Sequence, residues 1–464
     1  MTSVRPTPAS GFDLEVPVLV IGAGASGMIA ALSIKDCGGQ VLVVEADPVP
    51  SGSTALSAGL IPAAGTRFQA AEGIEDTPEL LAADIQRKAH DENPQYLVDT
   101  LAKTAGSAIE WLADRFNLPF SVVTDFTYPG HSRQRMHGLP TRAGRELVDR
   151  LRSACEAEGI DIVCDRRAVT LYHDGDRITG VEIEGPTGTE RIGCGALILA
   201  CNGFGGNRKM VTELMPEIDN ALWFGHDGNT GDAIRWGEAL GAETLHLGAY
   251  QGHGNVATPH GILISWAVIT TGGVQVNTEG RRFWDESQGY SEAARAVLAQ
   301  PTGIAWAIFD ERISDIARQF QDFKDAEASG AVRTAETIEE LAAMCDLPIG
   351  NLQNTLASIP TDGTDEFGRA FSGPGLKPPF VGVKVTGALF HTQGGLNITS
   401  DARVKLANGT TSPNLFAAGG AAVGVSGTDD RGYLSGNGLL SAVVLGRIAG
   451  QGAAAQTRTD PLAG

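Results

Sequence analysis

Residues 16–21 (VPVLVI), followed at once by the glycine turn Gly22-Ala-Gly24-Ala-Ser-Gly27, leave this chain few folds to choose from. The apolar, β-branched run reads as a buried strand, and the apolar spacing over residues 28–38 (MIAALSIKDCG) as a helix closed by Gly38. Residues 41–45 (VLVVE) read as the next buried strand. A right-handed crossover makes the two strands parallel and adjacent. Gly22 then permits the turn, Gly24 lets backbone approach a pyrophosphate, and Gly27 lets helix pack on strand. Glu45 closes the second strand at the distance expected of a ribose-binding acid. A GxGxxG alone is compatible with a turn that binds nothing; strand, helix, second strand and terminal acid together predict a dinucleotide site.

Helical spacing recurs over residues 76–117 and 144–159, and residues 160–183 alternate like hairpin strands around Asp174-Gly175. Residues 196–200 (ALILA) form another buried strand running into a glycine turn. At residue 248 the pattern changes: strands over 273–276 and 305–309 precede helices over 337–344 and 349–357. Residues 414–418 (NLFAA), a glycine-rich stretch to Gly438 and a helix from Leu439 toward Gly450 resume the first pattern. The expected architecture is α/β: a Rossmann-like domain built from residues 1–247 and 392–464, with an inserted α+β capping domain over 248–391 that shapes a substrate site.

A chain of 464 residues, 42% of them apolar, is long enough for such an arrangement. The formal charge of −20 argues against nucleic acid or an anionic membrane as partner. The first 17 residues lack a basic stretch followed by an apolar one, and no uninterrupted apolar span stands out, so a cytoplasmic protein without membrane insertion is expected. Six scattered cysteines show no CxxC or CxxCH spacing, which argues against a disulfide framework, a metal site or covalent haem.

Six further segments occur in a telling order: 51–60 (SGSTALSAGL), 199–207 (LACNGFGGN), 230–232 (TGD), 280–286 (GRRFWDE), 391–396 (HTQGGL) and 414–450. They resemble the ordered motifs of the fumarate reductase/succinate dehydrogenase flavoprotein superfamily, over nearly the whole chain. The resemblance implies FAD as cofactor. Its implied contacts are Gly22, Gly24, Ala25, Ser26, Gly27, Glu45 and Ala46 around the first turn, and Ser53, Thr54, Ser57, Ala58 and Gly59 along the segment that wraps the pyrophosphate and ribityl chain. Ala200, Asn202, Gly203, Asn207 and Asp232 follow, then Gly419, Gly420, Gly438, Leu439 and Leu440 near the C-terminus. Ser57 falls near the flavin-linking histidine of the membrane enzymes, which implies noncovalent attachment. Gly420 stands where the family usually has Glu, which implies one ribityl hydrogen bond fewer.

In fumarate reductases one arginine, four residues after the acid of the RF-x-x-E motif, delivers a proton, and a second, in NR-x-GGN, clamps a substrate carboxylate. The corresponding positions here are Tyr290 and Tyr433. Tyrosine cannot supply the bidentate partner of a dianion that arginine does. His253 and His391 match the family's histidines, while Ser265, Trp266 and Ile269 replace a Thr-Glu pair and another arginine. Tyr433-Leu-Ser435-Gly436 resembles instead the Tyr-x-Ser-Gly motif of the 3-ketosteroid dehydrogenase branch, especially its Δ4 type. That likeness implies α,β-desaturation of a cyclic ketone, such as a 3-ketosteroid or a 4-oxocyclohexanecarboxylate-type compound. Tyr433 would polarise the carbonyl, Tyr290 take the α proton, Ser435 act as relay, and His391 lie near the flavin.

Each residue has a plainer explanation. Tyr290 could be a surface aromatic, and His253 and His391 could be packing histidines. An ordinary tyrosine pKa of about 10 would also have to fall for Tyr290 to act as base near neutrality. Residues 128–145 concentrate basic groups in an acidic protein, either as a solvated loop or as a source of a carboxylate partner among Arg133, Arg135, His137 and Arg142. Two other functions compete: a fumarate- or urocanate-type flavin ene-reductase, and a flavin electron-transfer subunit. A small ketone or enoate substrate and an external electron acceptor are the expected partners.

Overall fold

The computed structural model describes residues 3–459. Leu14–Ile21 is the centre of a nine-stranded sheet, flanked in parallel by Val41–Val44 and by Gly188–Leu199. Val18, Leu19 and Val20 are wholly buried, as an apolar run covered on both faces must be. Asp161–Val163 extends the parallel set beyond Val41–Val44, and Thr411–Ala417 runs parallel to the end of Gly188–Leu199. The expected hairpin comprises Arg167–Asp174 and Arg177–Gly185, and the next strand starts at Gly188, eight residues before the apolar run at 196. Its early half, with Thr189, Glu190 and Arg191, pairs with the hairpin and is part-exposed, so apolar content alone does not disclose it.

The two long helices against this sheet meet at small residues. A Cβ on Gly446 would lie 2.6 Å from the Ser26 carbonyl oxygen, and one on Gly450 2.4 Å from that of Ala30. Four-residue spacing on both partners therefore lets Ala25–Asp36 and Asn437–Thr459 approach at backbone distance. The second helix corrects an expectation. It runs 23 residues rather than stopping near Gly450, and it is long and apolar enough, by length and composition, to cross a membrane. With 61% of its most apolar window buried in the protein, core packing accounts for that composition.

Gly27 has no room for a side chain. An added Cβ would stand 1.8 Å from the Gly22 carbonyl oxygen, so Gly27→Ala must push the helix off the strand and distort the glycine turn. We expect a loss of about 1–3 kcal/mol, the usual cost of overpacking, in urea unfolding, with weaker retention of the cofactor on gel filtration.

A second, seven-stranded sheet is organised around Phe380–Thr392, which pairs with Tyr250–Ala257, Ile304–Asp310, Val332–Ala335 and Leu222–Trp223. Its sequence (FVGVKVTGALFHT) is almost continuously buried, so the alternation that marks a half-exposed strand is missing. The helix Tyr290–Leu298 lies on this sheet over glycines. Added Cβ atoms on Gly252, Gly254 and Gly387 would meet Ser291, Ala293 and Ala294 at 2.4–2.7 Å. That close seat fixes the position of Tyr290, the first residue of the helix.

Candidate active site

A cleft of about 300 Å³ runs past the carboxyl ends of the parallel strands, lined by Ile21, Gly22, Gly24, Glu45 and Ala200. Open parallel sheets bind ligands at this edge. Gly22 (φ +102°) turns the chain there, and Gly52 and Gly419, which also line the cleft, take positive φ as well. Of the expected cofactor contacts, Ala25, Ser26, Ala46, Ser53, Thr54, Ser57, Asn202, Asp232, Gly419, Gly420, Gly438 and Leu439 line this cleft as well. The others lie elsewhere. Gly27 and Gly203 are spacers: a Cβ on Gly203 would collide with Thr392 Oγ1. Asn207 caps the helix Arg208–Leu214 and donates from Nδ2 to the Thr230 carbonyl, 3.0 Å away. Leu440 is core, and Ala58 and Gly59 line a neighbouring cavity.

The cleft has the chemistry a dinucleotide needs. Glu45 stands at the end of its strand, where its carboxylate accepts from the amides of Ala23 (2.6 Å) and Asp47 (3.0 Å). The hydroxyls of Ser26 and Ser441, both lining the cleft, are buried with no hydrogen-bond partner, and the phosphate or sugar oxygens of a bound dinucleotide would supply one. The start of the helix Asn437–Thr459 also faces the cleft, offering partial positive charge. Ser441, Asn229 and His226 line it without having been expected: Ser441 lies inside the C-terminal motif and Asn229 beside the TGD segment, whose spacing marks the segments but not which of their side chains face the cleft.

Ser53, Ser57, His391 and Leu439 line both this cleft and a second cavity of about 120 Å³ beneath the second sheet. His391 therefore stands at the junction. Burial pushes its pKa down to about 4, so the ring is neutral near pH 7, and the Gln393 side-chain amide donates to its Nδ1 at 2.9 Å.

The second cavity brings together Tyr128, Tyr290, Tyr433, Ser435, His253 and Trp266. Tyr290 is neither in a loop nor exposed: its ring packs edge-on against Tyr433 (5.9 Å between centroids) and Tyr128 (6.4 Å), and stacks on His253 (4.8 Å). Its hydroxyl lies beside those of Ser435 and Tyr433, close enough to interact with both. The Tyr433 oxygen in turn faces the Gly436 and Gly438 amides, the latter at 3.5 Å. Burial drives the Tyr290 pKa well above its ordinary value and that of Tyr433 up to about 12. The lowered pKa that base catalysis by Tyr290 would require is therefore not found; dehydration of the phenol outweighs the hydrogen bond from Ser435.

None of the four basic candidates of residues 128–145 lines this cavity. Arg135 is wholly buried between Asp76 and Asp84, and His137 is buried on Thr66. Arg133 points to the Glu75 carbonyl, and Arg142 pairs with Asp125 and Gln319. The segment instead contributes Tyr128, whose significance the surrounding arginines mask. Ser265 and Trp266 line the cavity whereas Ile269 does not, and Gln251, Phe390 and Asp322 were unforeseen.

A Rossmann-like sheet with a glycine-turned dinucleotide cleft, opening onto a buried cavity under a second sheet, defines a flavoprotein oxidoreductase. Residues 17–439 match the model of the FAD binding domain family, and the chain belongs to that family, with FAD as its cofactor. It is 31% identical, over 96% of its length and 76% of the relative's, to a probable fumarate reductase of Shewanella frigidimarina. It is 28% identical, over 97% and 76%, to the urocanate reductase of Eggerthella lenta. The structure resembles an open flavocytochrome c3 fumarate reductase (TM-score 0.80, 31% identity, 97% of this chain and 79% of that one). The 3-ketosteroid Δ4-(5α)-dehydrogenase of Rhodococcus jostii RHA1 shares the fold (TM-score 0.74, 97% and 99% covered) at only 24% identity. The chain is thus a flavin-dependent oxidoreductase of the fumarate reductase family. Its likeness to the ketosteroid dehydrogenase branch extends, in this comparison, to the fold.

Proposed function

We propose that the protein is an ene-reductase acting on a carbon–carbon double bond conjugated to an uncharged carbonyl, such as a cyclic enone, with Tyr433 and Tyr290 as its polar machinery. The carrying observation is the composition of the second cavity: among the described residues that line it there is no Arg or Lys, and its donors are all neutral, being phenols, hydroxyls, an amide, an indole and imidazoles. A dicarboxylate in such a site would give up hydration without gaining a cation. The fumarate and urocanate reductases among its relatives support the reductive direction.

FAD held in the first cleft, once reduced by an external redox partner, would supply a hydride to the β carbon. Tyr433 hydrogen-bonds the carbonyl oxygen: its own oxygen faces the Gly436 and Gly438 amides and the Tyr290 hydroxyl, and its O–H turns to the substrate carbonyl when substrate enters beside Tyr290. Tyr290, kept protonated by burial, gives its proton to the α carbon, and the phenolate that results regains a proton from solvent, relayed through the Ser435 hydroxyl. His391 and Ser57 position the reacting face at the junction between cleft and cavity. An external redox partner completes the cycle, and we take the cofactor to be held noncovalently, since Ser57, near the position of the family's flavin-linking histidine, has no imidazole to form the link.

Ketone desaturation is a second reading, favoured by the Tyr433-Leu434-Ser435-Gly436 sequence and opposed by the raised pKa of Tyr290. Anaerobic stopped-flow separates the two. Prereduced enzyme should be reoxidised by cyclohexenones at least about a hundredfold faster than by fumarate or urocanate, as loss of a charge-assisted bidentate clamp implies. Faster reoxidation by fumarate would refute the uncharged-carbonyl proposal, and bleaching of oxidised enzyme by saturated ketones, with no enone reduction, would favour desaturation.

A further inference from the structure

Resting on that reading, we infer that Asp322 selects substrates carrying a cationic or hydrogen-bond-donating arm at the end of the molecule remote from the reacting carbonyl. Asp322 is the one charged side chain among the described residues lining the second cavity; the others are aromatic, aliphatic, hydroxyl, amide or neutral imidazole groups. It sits in the first turn of the helix Gln321–Ala328, immediately after Phe320, which also lines the cavity.

The position of Asp322 relative to the reacting end follows from a ladder of rings. Tyr433 contacts His391 (5.7 Å between centroids) at the junction with the cofactor cleft. From there the rings run through Tyr290, Tyr128 and Phe126 to Phe320, with successive spacings of 5.9, 6.4, 5.0 and 6.1 Å. Asp322 follows two residues after Phe320, the ring at the far end of the ladder from His391, and lines the same cavity. A substrate whose carbonyl meets Tyr433 therefore extends its far end toward this carboxylate.

No hydrogen-bond or ion-pair partner holds Asp322 among the described residues. Neighbouring structure leaves the charge largely uncompensated: burial and the nearby Asp325 push its pKa up to about 6, and Arg145 opposes them only from a distance. A half-buried, unpaired carboxylate is costly for folding alone. An ammonium or hydroxyl arriving with the substrate would satisfy it, and a second carboxylate there would be repelled.

The test uses the FAD-loaded enzyme and three enones with a fused-ring body long enough to reach along the ring ladder, bearing at the end opposite the carbonyl an aminomethyl, a hydroxymethyl or a carboxylate arm. Both kcat/KM and the dissociation constant, from perturbation of the flavin spectrum, are measured. Wild type should prefer the aminomethyl compound to the carboxylate by at least about tenfold, the scale of one charged hydrogen bond. Asp322→Asn should erase that preference chiefly in KM and Kd, while Asp322→Glu should restore part of it. Turnover of all three without preference, or a preference that survives in Asp322→Asn, overturns the inference while leaving the uncharged-carbonyl reading in place. Absence of turnover and of spectral binding for all three overturns that reading and the inference with it.

Discussion

Tyr290→Phe should lower kcat by about two to four orders of magnitude, the range that removal of a general acid produces, with the flavin absorbance spectrum and the thermal midpoint close to wild type. The ring carries most of the packing, against Tyr128, His253, Trp266 and Tyr433, and phenylalanine retains it. What is lost is the hydroxyl beside those of Ser435 and Tyr433. The pH profile separates the two possible roles of this phenol. Because burial holds the Tyr290 pKa well above 10, the acid form persists across the neutral and mildly alkaline range, and the rate of enone reduction should stay flat from about pH 6 to pH 9. A tyrosinate base would give a rate climbing about tenfold per pH unit over the same interval. A flat profile together with a crippled Phe variant supports proton donation; full activity in Tyr290→Phe would remove the residue from the mechanism.

How much could be seen beforehand depended on whether a residue's role is local. The turn at Gly22, Gly24 and Gly27, with Glu45 beyond it, is dictated within one strand–helix–strand unit, so spacing alone located it. The pairing of Tyr290 with Tyr433 was legible because each sits at a fixed offset from a motif residue, Glu286 and Asn437. Phe380–Thr392 was not, since a strand buried on both faces and interrupted by Gly382 and Gly387 shows neither alternation nor a clean apolar run. Nor could the sequence separate Tyr128 from the cations that follow it. Arg135 and Tyr128 lie seven residues apart, yet one is locked between two aspartates and the other enters the cavity, a difference made by the distant partners Asp76, Asp84 and Ser265. The direction of the Tyr290 pKa shift was equally hidden, because it comes from burial that only the assembled second sheet produces.

Arg135→Met should destabilise the protein by about 3–5 kcal/mol at pH 7, as expected when one member of a buried charge network is deleted and its partners are left unpaired. The guanidinium is fully buried and makes four bonds: Nε and Nη2 to the two Asp76 oxygens, both at 2.9 Å, Nη1 to Asp84 Oδ2 at 2.7 Å, and a longer one from Nη2 to Ser132 Oγ at 3.4 Å. Lysine cannot reproduce this fork, so Arg135→Lys should recover only part of the loss. Acid should narrow the gap. Burial raises the Asp84 pKa, but the Ser132 amide and hydroxyl, Arg87 and Arg135 together hold it below the usual carboxylate range. A depressed carboxyl contributes stability above its unfolded pKa of about 3.9 and loses it as pH falls through the folded value. The variant lacks much of that contribution at neutrality, so urea unfolding of the two proteins should converge below about pH 4. The loss reaches the site through the neighbouring strand: the Arg135 carbonyl accepts from the Ala63 amide at 3.0 Å, and Met136 next to it lines the second cavity. A Cβ on Gly436 would meet Pro62 at 2.6 Å and Met136 at 3.4 Å, so the segment holding Tyr433 and Ser435 rests on this same support. Activity in Arg135→Met should accordingly fall in step with the folded fraction on warming, whereas a substrate-binding arginine would show a raised KM at temperatures where the protein is fully folded.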